Sequence, residues 1–275
     1  LALLELDTKN KTKISFIMID KKRIGIVILA TNAYFVLGIR FIKKFMYYYN
    51  GNSNIKFYFF SNEDPTDYLS NEIDITFIKT NHSNWLTATN SKFENIINIQ
   101  KQLSNEVDYV YYFDADTNII NKFNEDWFIG DLVGLEHFGN NDWMKEIKSY
   151  DRNLQSKAYI PFDTKLFQMY YHGSLIGGKI NNMINMCEIL YNNQMEDMKI
   201  PYEPSVNDES YINQYYHYNP PTHTILNFNF EFMVSDKGGL NDMRNPDLDV
   251  SDIKTQMLKN KFKIFDLENG NLKIL

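Results

Sequence analysis

The segment "EVDYVYYFDADTNIINKF", residues 106–123, ends an apolar and aromatic run, Val107 to Phe113, in Asp114 and Asp116, one residue apart. Two carboxylates at the mouth of a buried strand repel each other, which costs stability and raises one of their pKa values. A cation between them removes that cost. Hard divalent ions such as Mg²⁺ or Mn²⁺ take oxygen ligands and commonly share them with substrate phosphates. The spacing alone is not specific, because Asp247 and Asp249 repeat it within "NPDLDVSD", a polar stretch that reads as a solvated loop.

Two further segments carry reactive or permissive residues. In "YYHGSLIGGK", residues 170–179, Gly173, Gly177 and Gly178 allow close approach of backbone to a ligand, beside His172 and Ser174. Neither the dinucleotide fingerprint nor the P-loop spacing is present, so a glycine turn leading into a helix is the competing reading. In "NDESYINQYY", residues 207–216, adjacent Asp208 and Glu209 open a helix, where acids are ordinarily exposed and favoured by the dipole. Asn207 or Asp208 is expected to cap it. His137 closes an apolar run, "LVGLEH", much as Asp114 closes its own, which makes it a ligand candidate. His82, His217 and His223 read as solvated. No pair of histidines has zinc-ligand spacing, and no Ser-His-Asp arrangement follows from spacing.

The elements that must position these groups follow from periodicity. "RIGIVILAT", "IKFYFFS", "DITFIKT" and "VDYVYYFDAD" are β-branched and aromatic runs. Between them lie "AYFVLGIRFIKKFMYYY", stopped by Asn50-Gly51, and "NSKFENIINIQKQLSNE", both with helical spacing. Strands alternating with helices predict an α/β fold, a mainly parallel twisted sheet flanked by helices. Ligands of such sheets collect outside the carboxyl ends of the strands, where Asp114 and Asp116 fall. "DLVGLEHFG" reads as a further strand, "MYYHGSLIGGKINNMINMCEILYNNQMEDM" as a strand, turn and helix, and "FKIFDLENGNLKIL" as a hairpin about Asn-Gly. No repeat or linker divides the 275 residues. They read as one domain with an N-terminal extension (1–20), a catalytic core (21–236) and a C-terminal segment (237–275).

Composition narrows the function classes. A net charge of −7 argues against a nucleic-acid surface. A single cysteine, Cys187, excludes an intramolecular disulfide and a cysteine-rich metal site. No run of about eighteen apolar residues is present, and the first residues lack a signal-peptide pattern. The expectation is a soluble, cytoplasmic protein with no membrane span.

Taken in order, "RIGIVILATNAY", "FYFFSNEDP", "NHSNWLTATNSKFENI", "EVDYVYYFDADT", "VGLEH", "YDRNLQSKAYIP", "YYHGSLIGGK" and "NDESYINQYYHYNPP" resemble glycosyltransferase family six. This is the family of the histo-blood-group A and B transferases and the α-1,3-galactosyltransferases. "SKAYIP", "YYHGSLIGG" and "DESYINQYY" are its specific parts. The resemblance implies a GT-A fold and transfer of N-acetylgalactosamine or galactose from a UDP-sugar, with retention and an α-1,3 linkage. It implies that Asp114 and Asp116, flanking Ala115, hold Mn²⁺ or Mg²⁺ against the UDP diphosphate. Leu29, Ala30, Thr31 and Tyr34 match the positions that hold uridine, and Trp85 and Lys92 the family's tryptophan and basic donor-binding positions. His137 matches an acceptor-binding histidine. His172, Gly173 and Ser174 match the segment that selects the donor sugar. Asp208 matches a residue that holds donor hydroxyls, and Glu209 the carboxylate proposed as nucleophile or cation stabiliser.

The match has departures. "HFGN" stands where the family usually has His-Pro-Gly-Phe, and Val206-Asn207 where mammalian members have Trp-His, an aromatic acceptor platform. Lys92 replaces an arginine and its planar fork of donors. For the basic tail that closes over UDP, Lys237 and Arg244 are the candidates. A stem and anchor are not recognised, which points to a soluble member of bacterial or phage type. The expected acceptor is a galactose-terminated glycan, with or without 2-linked fucose, and small residues at 173 and 174 favour N-acetylgalactosamine as donor. A glycogenin-like transferase and a non-catalytic sugar-binding protein of the same fold are the alternatives.

Overall fold

The computed structural model describes residues 4–5, 13–14, 21–82, 85–127, 129–137, 150–161, 169–225, 230–232, 264–266 and 271–273, with backbone alone at 4–5, 13–14, Trp85, Trp127, 230–232, 264–266 and 271–273. In chain order the strands and helices are β1 (Leu4–Glu5), β2 (Lys13–Ile14), β3 (Arg23–Leu29), α1 (Tyr34–Tyr48), β4 (Asn54–Ser61) and β5 (Ile75–Lys79). Next come α2 (Trp85–Asn90), α3 (Lys92–Asn98), α4 (Gln100–Glu106), β6 (Tyr109–Asp114), β7 (Thr117–Ile119) and β8 (Leu132–Glu136). The remainder are β9 (Tyr171–Lys179), α5 (Ile180–Asp197), α6 (Asn207–Tyr218), β10 (His223–Ile225), β11 (Phe230–Phe232), β12 (Ile264–Asp266) and β13 (Asn271–Lys273).

Seven strands form one sheet in the order β10-β8-β9-β6-β3-β4-β5. β5, β4, β3 and β6 run parallel, as do β8 and β10, whereas β9 runs antiparallel to both its neighbours. The inner parallel strands read as continuous apolar runs because both of their faces are covered. Alternation along each strand sorts side chains between two cores. Ile24, Ile26 and Ile28 of β3 and Phe113 of β6 pack with Phe35, Phe41 and Phe45 of α1. Val27 and Leu29, with Val110 and Tyr112, pack with Phe93 of α3, Met183 and Met186 of α5 and Tyr211 of α6. The expected hairpin near the C-terminus is present, with Asp266 opposite Asn271.

The reversal at β9 sets the geometry of the site. Leu29 of β3 lies in register with Asp114 of β6, and Phe113 with Leu175 of β9. The start of β9 therefore projects past β6 at the edge where the parallel strands end. β8 ends at that edge too, with Leu135 opposite His172 and Glu136 opposite Tyr171. Between Gly134 and Leu135 the partner on β9 jumps from Ile176 to His172, an irregularity that re-aims the side chains between them.

The expected glycine turn after "YYHGSL" is absent. β9 continues through Gly177 and Gly178 to Lys179, and α5 begins at the next residue. These glycines serve close approach: a Cβ at 177 would lie 2.1 Å from Tyr111, and Gly178 has φ +147 with the Asp131 carbonyl against it. The expected cap on α6 is also absent. Val206 occupies the N-cap position, no side chain caps the helix, and Asn207 has φ 39. Asp208 is unavailable as a cap because it is buried against a lysine.

Candidate active site

Asp114, the last residue of β6, and the first turn of α6 meet across Lys92, the first residue of α3. Lys92 is only 2% exposed. Its Nζ lies 2.5 Å from Asp208 Oδ2 and 3.7 Å from Asp114 Oδ1, and donates to the Gly173 carbonyl at 3.0 Å. The same Nζ sits 4.5 Å from the centre of the Tyr112 ring. Burial works against its charge, yet Asp208 and Asp114 hold its pKa above the ordinary lysine value. Burial, with Asp114 adding to it and Lys92 opposing, raises the Asp208 carboxyl. The surface-charge expectation for Asp208 and Glu209 is thus replaced by a buried, partly compensated cluster.

Glu209 lies in the same cluster. Its Oε2 accepts the Gly173 N–H at 2.7 Å, and it also accepts a hydrogen bond from the Tyr170 hydroxyl. Its Oε1 is buried with no hydrogen-bond partner among the described residues. Burial, with Asp208 adding, pushes its pKa up to about 7, against the pull of Gly173, Tyr170 and Lys92. Gly173 admits this contact because a Cβ there would meet Glu209 Cβ at 3.2 Å. Its two backbone groups thus face Glu209 and Lys92.

Strand β9 and the end of β8 form the opposite wall. His172 Nδ1 accepts the Ser174 N–H at 3.1 Å and lies 3.8 Å from Glu209 Oε2. Burial, then His137, then Lys92 lower the His172 pKa to about 3, so the ring is neutral. His137 stacks on it, with ring centroids 4.6 Å apart. Ser174 is 1% exposed and its Oγ has no hydrogen-bond partner among the described residues.

At the neighbouring strand end, Leu29, Ala30 and Thr31 are buried and Tyr34 is half-buried at the start of α1. The turn is held by Ser61 Oγ donating to the Ala30 carbonyl at 2.7 Å and by Asn32, at φ 57, donating from its N–H to Asn62. Leu29 being in register with Asp114, this turn and the acidic pair share one edge. Ala115 is buried and Asp116 half-buried, in the turn between β6 and β7.

Thus Lys92, Asp114, His137, His172, Gly173, Asp208 and Glu209 come together through direct contacts. Trp85 opens α2, with its side chain outside the described residues, as are Lys237, Arg244, Asp247 and Asp249. His82 is half-buried, with Nε2 2.8 Å from Ser91 Oγ, rather than solvated. Two site residues escaped the sequence reading. Tyr170 touches Glu209. Asn213, one helical turn past Glu209, accepts the Tyr171 N–H at 2.8 Å and donates to the carbonyls of Tyr171 (2.8 Å) and Glu209 (3.0 Å). The i,i+4 step from Glu209 to a buried amide was the available signal for Asn213.

A largely parallel sheet joined to strands of mixed direction and flanked by helices, with acidic residues at a strand end, is a GT-A-like glycosyltransferase fold. The chain belongs to glycosyltransferase family 6, whose model matches residues 11–241. It is 27% identical over 167 residues to an O-antigen biosynthesis glycosyltransferase, WbnI, of Escherichia coli, covering 60% of this chain and 70% of that protein. It is 25% identical over 208 residues to the histo-blood group ABO system transferase 2 of Rattus norvegicus, covering 74% of this chain and 61% of the relative. No helix among the described residues is long and apolar enough to cross a membrane.

Proposed function

We propose that the protein is a retaining α-1,3-glycosyltransferase that moves N-acetylgalactosamine, or galactose, from a UDP-sugar to a galactose-terminated glycan. The observation that carries this reading is Glu209: a buried carboxylate, one oxygen of which has no hydrogen-bond partner among the described residues, tied through Gly173 and Lys92 to Asp208 and Asp114. Turn residues Leu29, Ala30, Thr31 and Tyr34 would receive uridine at the end of β3. Asp114 and Asp116 fit a divalent cation: both are oxygen donors beside a cluster with more carboxylates than cations, and the Asp114 side chain is 35% exposed. Mn²⁺ or Mg²⁺ held there would offset charge on the departing diphosphate, a contribution worth several kcal/mol.

The chain's own groups do the rest. Lys92 fixes Asp208, which would accept from donor hydroxyls. Glu209 Oε1 faces the anomeric carbon and forms a bond to it, or stabilises its positive charge, as the bond to UDP breaks. The acceptor hydroxyl then bonds to that carbon on the face UDP left, passing its proton to the departed diphosphate oxygen; where a bond to Glu209 formed it breaks in this step, and configuration is retained. Ser174 Oγ, buried and without a hydrogen-bond partner among the described residues, supports N-acetylgalactosamine, whose acetamido group it would hydrogen-bond over Gly173.

Incubation with UDP-N-acetylgalactosamine, UDP-galactose or UDP-glucose, Mn²⁺ and a panel of galactosides tests the reading. The expected product is an α-1,3-linked galactoside. EDTA abolishes its formation and Mn²⁺ restores it. Transfer in chelator would remove the metal from Asp114 and Asp116, and UDP-sugar binding without transfer would favour a binding protein.

A further inference from the structure

Glu209 belongs to a second constellation, composed differently from the aspartate pair. One nitrogen from each of His137 and His172 and one Glu209 oxygen lie within 4.8 Å of one another, the one such group of His, Cys, Asp or Glu among the described residues. Two imidazoles and a carboxylate suit borderline ions such as Zn²⁺ or Co²⁺, whereas an all-oxygen site suits Mg²⁺ and Mn²⁺. A second observation points the same way: Glu209 is 7% exposed, and its Oε1 has no hydrogen-bond partner among the described residues.

We propose that His137, His172 and Glu209 form a second cation site, preferring Zn²⁺-like ions, whose occupation inhibits transfer by engaging Glu209. The inhibitory part rests on the role proposed for Glu209; the binding part does not.

The electrostatics admit a cation. Among the described residues, the carboxylates of Asp114, Asp208 and Glu209 outnumber the single ammonium of Lys92. Neutral imidazole is the form that ligates. Stacking already holds the two rings together, with one nitrogen of each within 4.8 Å of a Glu209 oxygen. The opposing cost is also visible. His172 Nδ1 accepts the Ser174 N–H, so Nε2 carries the ring proton, and a cation taking either nitrogen ends that bond. The site is therefore a reversible one rather than a structural zinc centre, and it leaves Asp114 and Asp116 free for the hard cation.

The test separates the two sites. In the Asp114→Asn/Asp116→Asn protein, Zn²⁺ binding is measured by calorimetry and Co²⁺ binding by its visible absorption. One equivalent binds, with a Co²⁺ spectrum of nitrogen–oxygen ligation, and adding His137→Ala or His172→Ala weakens binding at least about tenfold. Circular dichroism verifies that each variant is folded. In the otherwise unaltered protein under excess Mn²⁺, Zn²⁺ lowers turnover, and His137→Ala raises the half-inhibiting Zn²⁺ concentration by about the same factor. Zn²⁺ binding that ignores both histidine substitutions overturns the proposal. Histidine-dependent binding without inhibition of a working transferase overturns its regulatory half. Histidine-dependent binding in a protein that transfers from none of the donors upholds the site and sinks the transferase reading instead.

Discussion

Asp197 and Glu209 are both buried carboxylates, 2% and 7% exposed, on the neighbouring helices α5 and α6, and the fold treats them oppositely. Asp197 is saturated. It accepts from Ser156 Oγ at 2.7 Å, the Lys157 N–H at 2.8 Å and the Tyr211 hydroxyl at 3.0 Å, joining segment 150–161 to α6. Glu209 has partners on one oxygen and none among the described residues on the other. A carboxylate that holds chain together uses both oxygens on protein. One that keeps an oxygen free, in a place where burial opposes its charge, retains capacity for a ligand.

The largest effect expected from this contrast is at Glu209. Glu209→Gln lowers turnover roughly 10³-fold or more, with UDP-sugar affinity by calorimetry nearly unchanged. Unchanged turnover would remove Glu209 from the mechanism. Asp197→Ala is expected to act on stability instead, by about 2–3 kcal/mol, since it strands two hydroxyls and an N–H in the interior. The melting temperature falls by several degrees while turnover per folded molecule changes much less. A variant that melts like the parent would end the distinction between the two carboxylates.

The pH dependence sharpens it further. Under the proposed mechanism transfer would require ionised Glu209, so kcat/KM measured with Mn²⁺ is expected to rise with pH along a limb centred near 7. The folded pKa of Glu209 lies above its ordinary 4.5, so its stability contribution is complete below that value and lost as pH rises through about 7. His172 has the opposite sign: depressed from 6.5 to about 3, it contributes fully above 6.5 and loses that contribution as pH falls towards 3. Denaturant titrations across pH 3–8, in parent and His172→Gln, separate the two terms. The smallest effect is at Tyr170. Tyr170→Phe removes a donor that favours ionised Glu209, moving the acid limb upward by about half to one unit. A downward movement would exclude that hydrogen bond.

Much of the scaffold was legible because its burial follows simple periods. "RIGIVIL", "NIKFYFFS" and "YVYYFD" are strands buried on both faces, and the spacing in "YFVLGIRFIKKFMYY" places its aromatic face on one core. The position of Asp114 at a carboxyl edge followed from that alternation. Less legible was whatever depends on a distant partner. From local spacing alone Asp208 and Glu209 read as dipole-favoured surface acids, because Lys92, which partly compensates their cluster, is far away in the chain. Glycines 177 and 178 read as a turn because nothing local shows Tyr111 and the Asp131 carbonyl pressed against them. Asn207 read as a cap, yet the helix starts from Val206 with its next acid turned inward to the lysine.

Asn213 carries one more implication. Its amide grips both backbone groups of Tyr171 and the carbonyl of Glu209, so α6 and the start of β9 are riveted into a single plate. Any closing motion that accompanies donor binding must hinge outside that plate. Under the proposed mechanism the spacing between Glu209 and Gly173 would stay constant from donor binding to release, and the carboxylate would be delivered as part of a rigid floor, with the moving parts left to bring substrate down onto it.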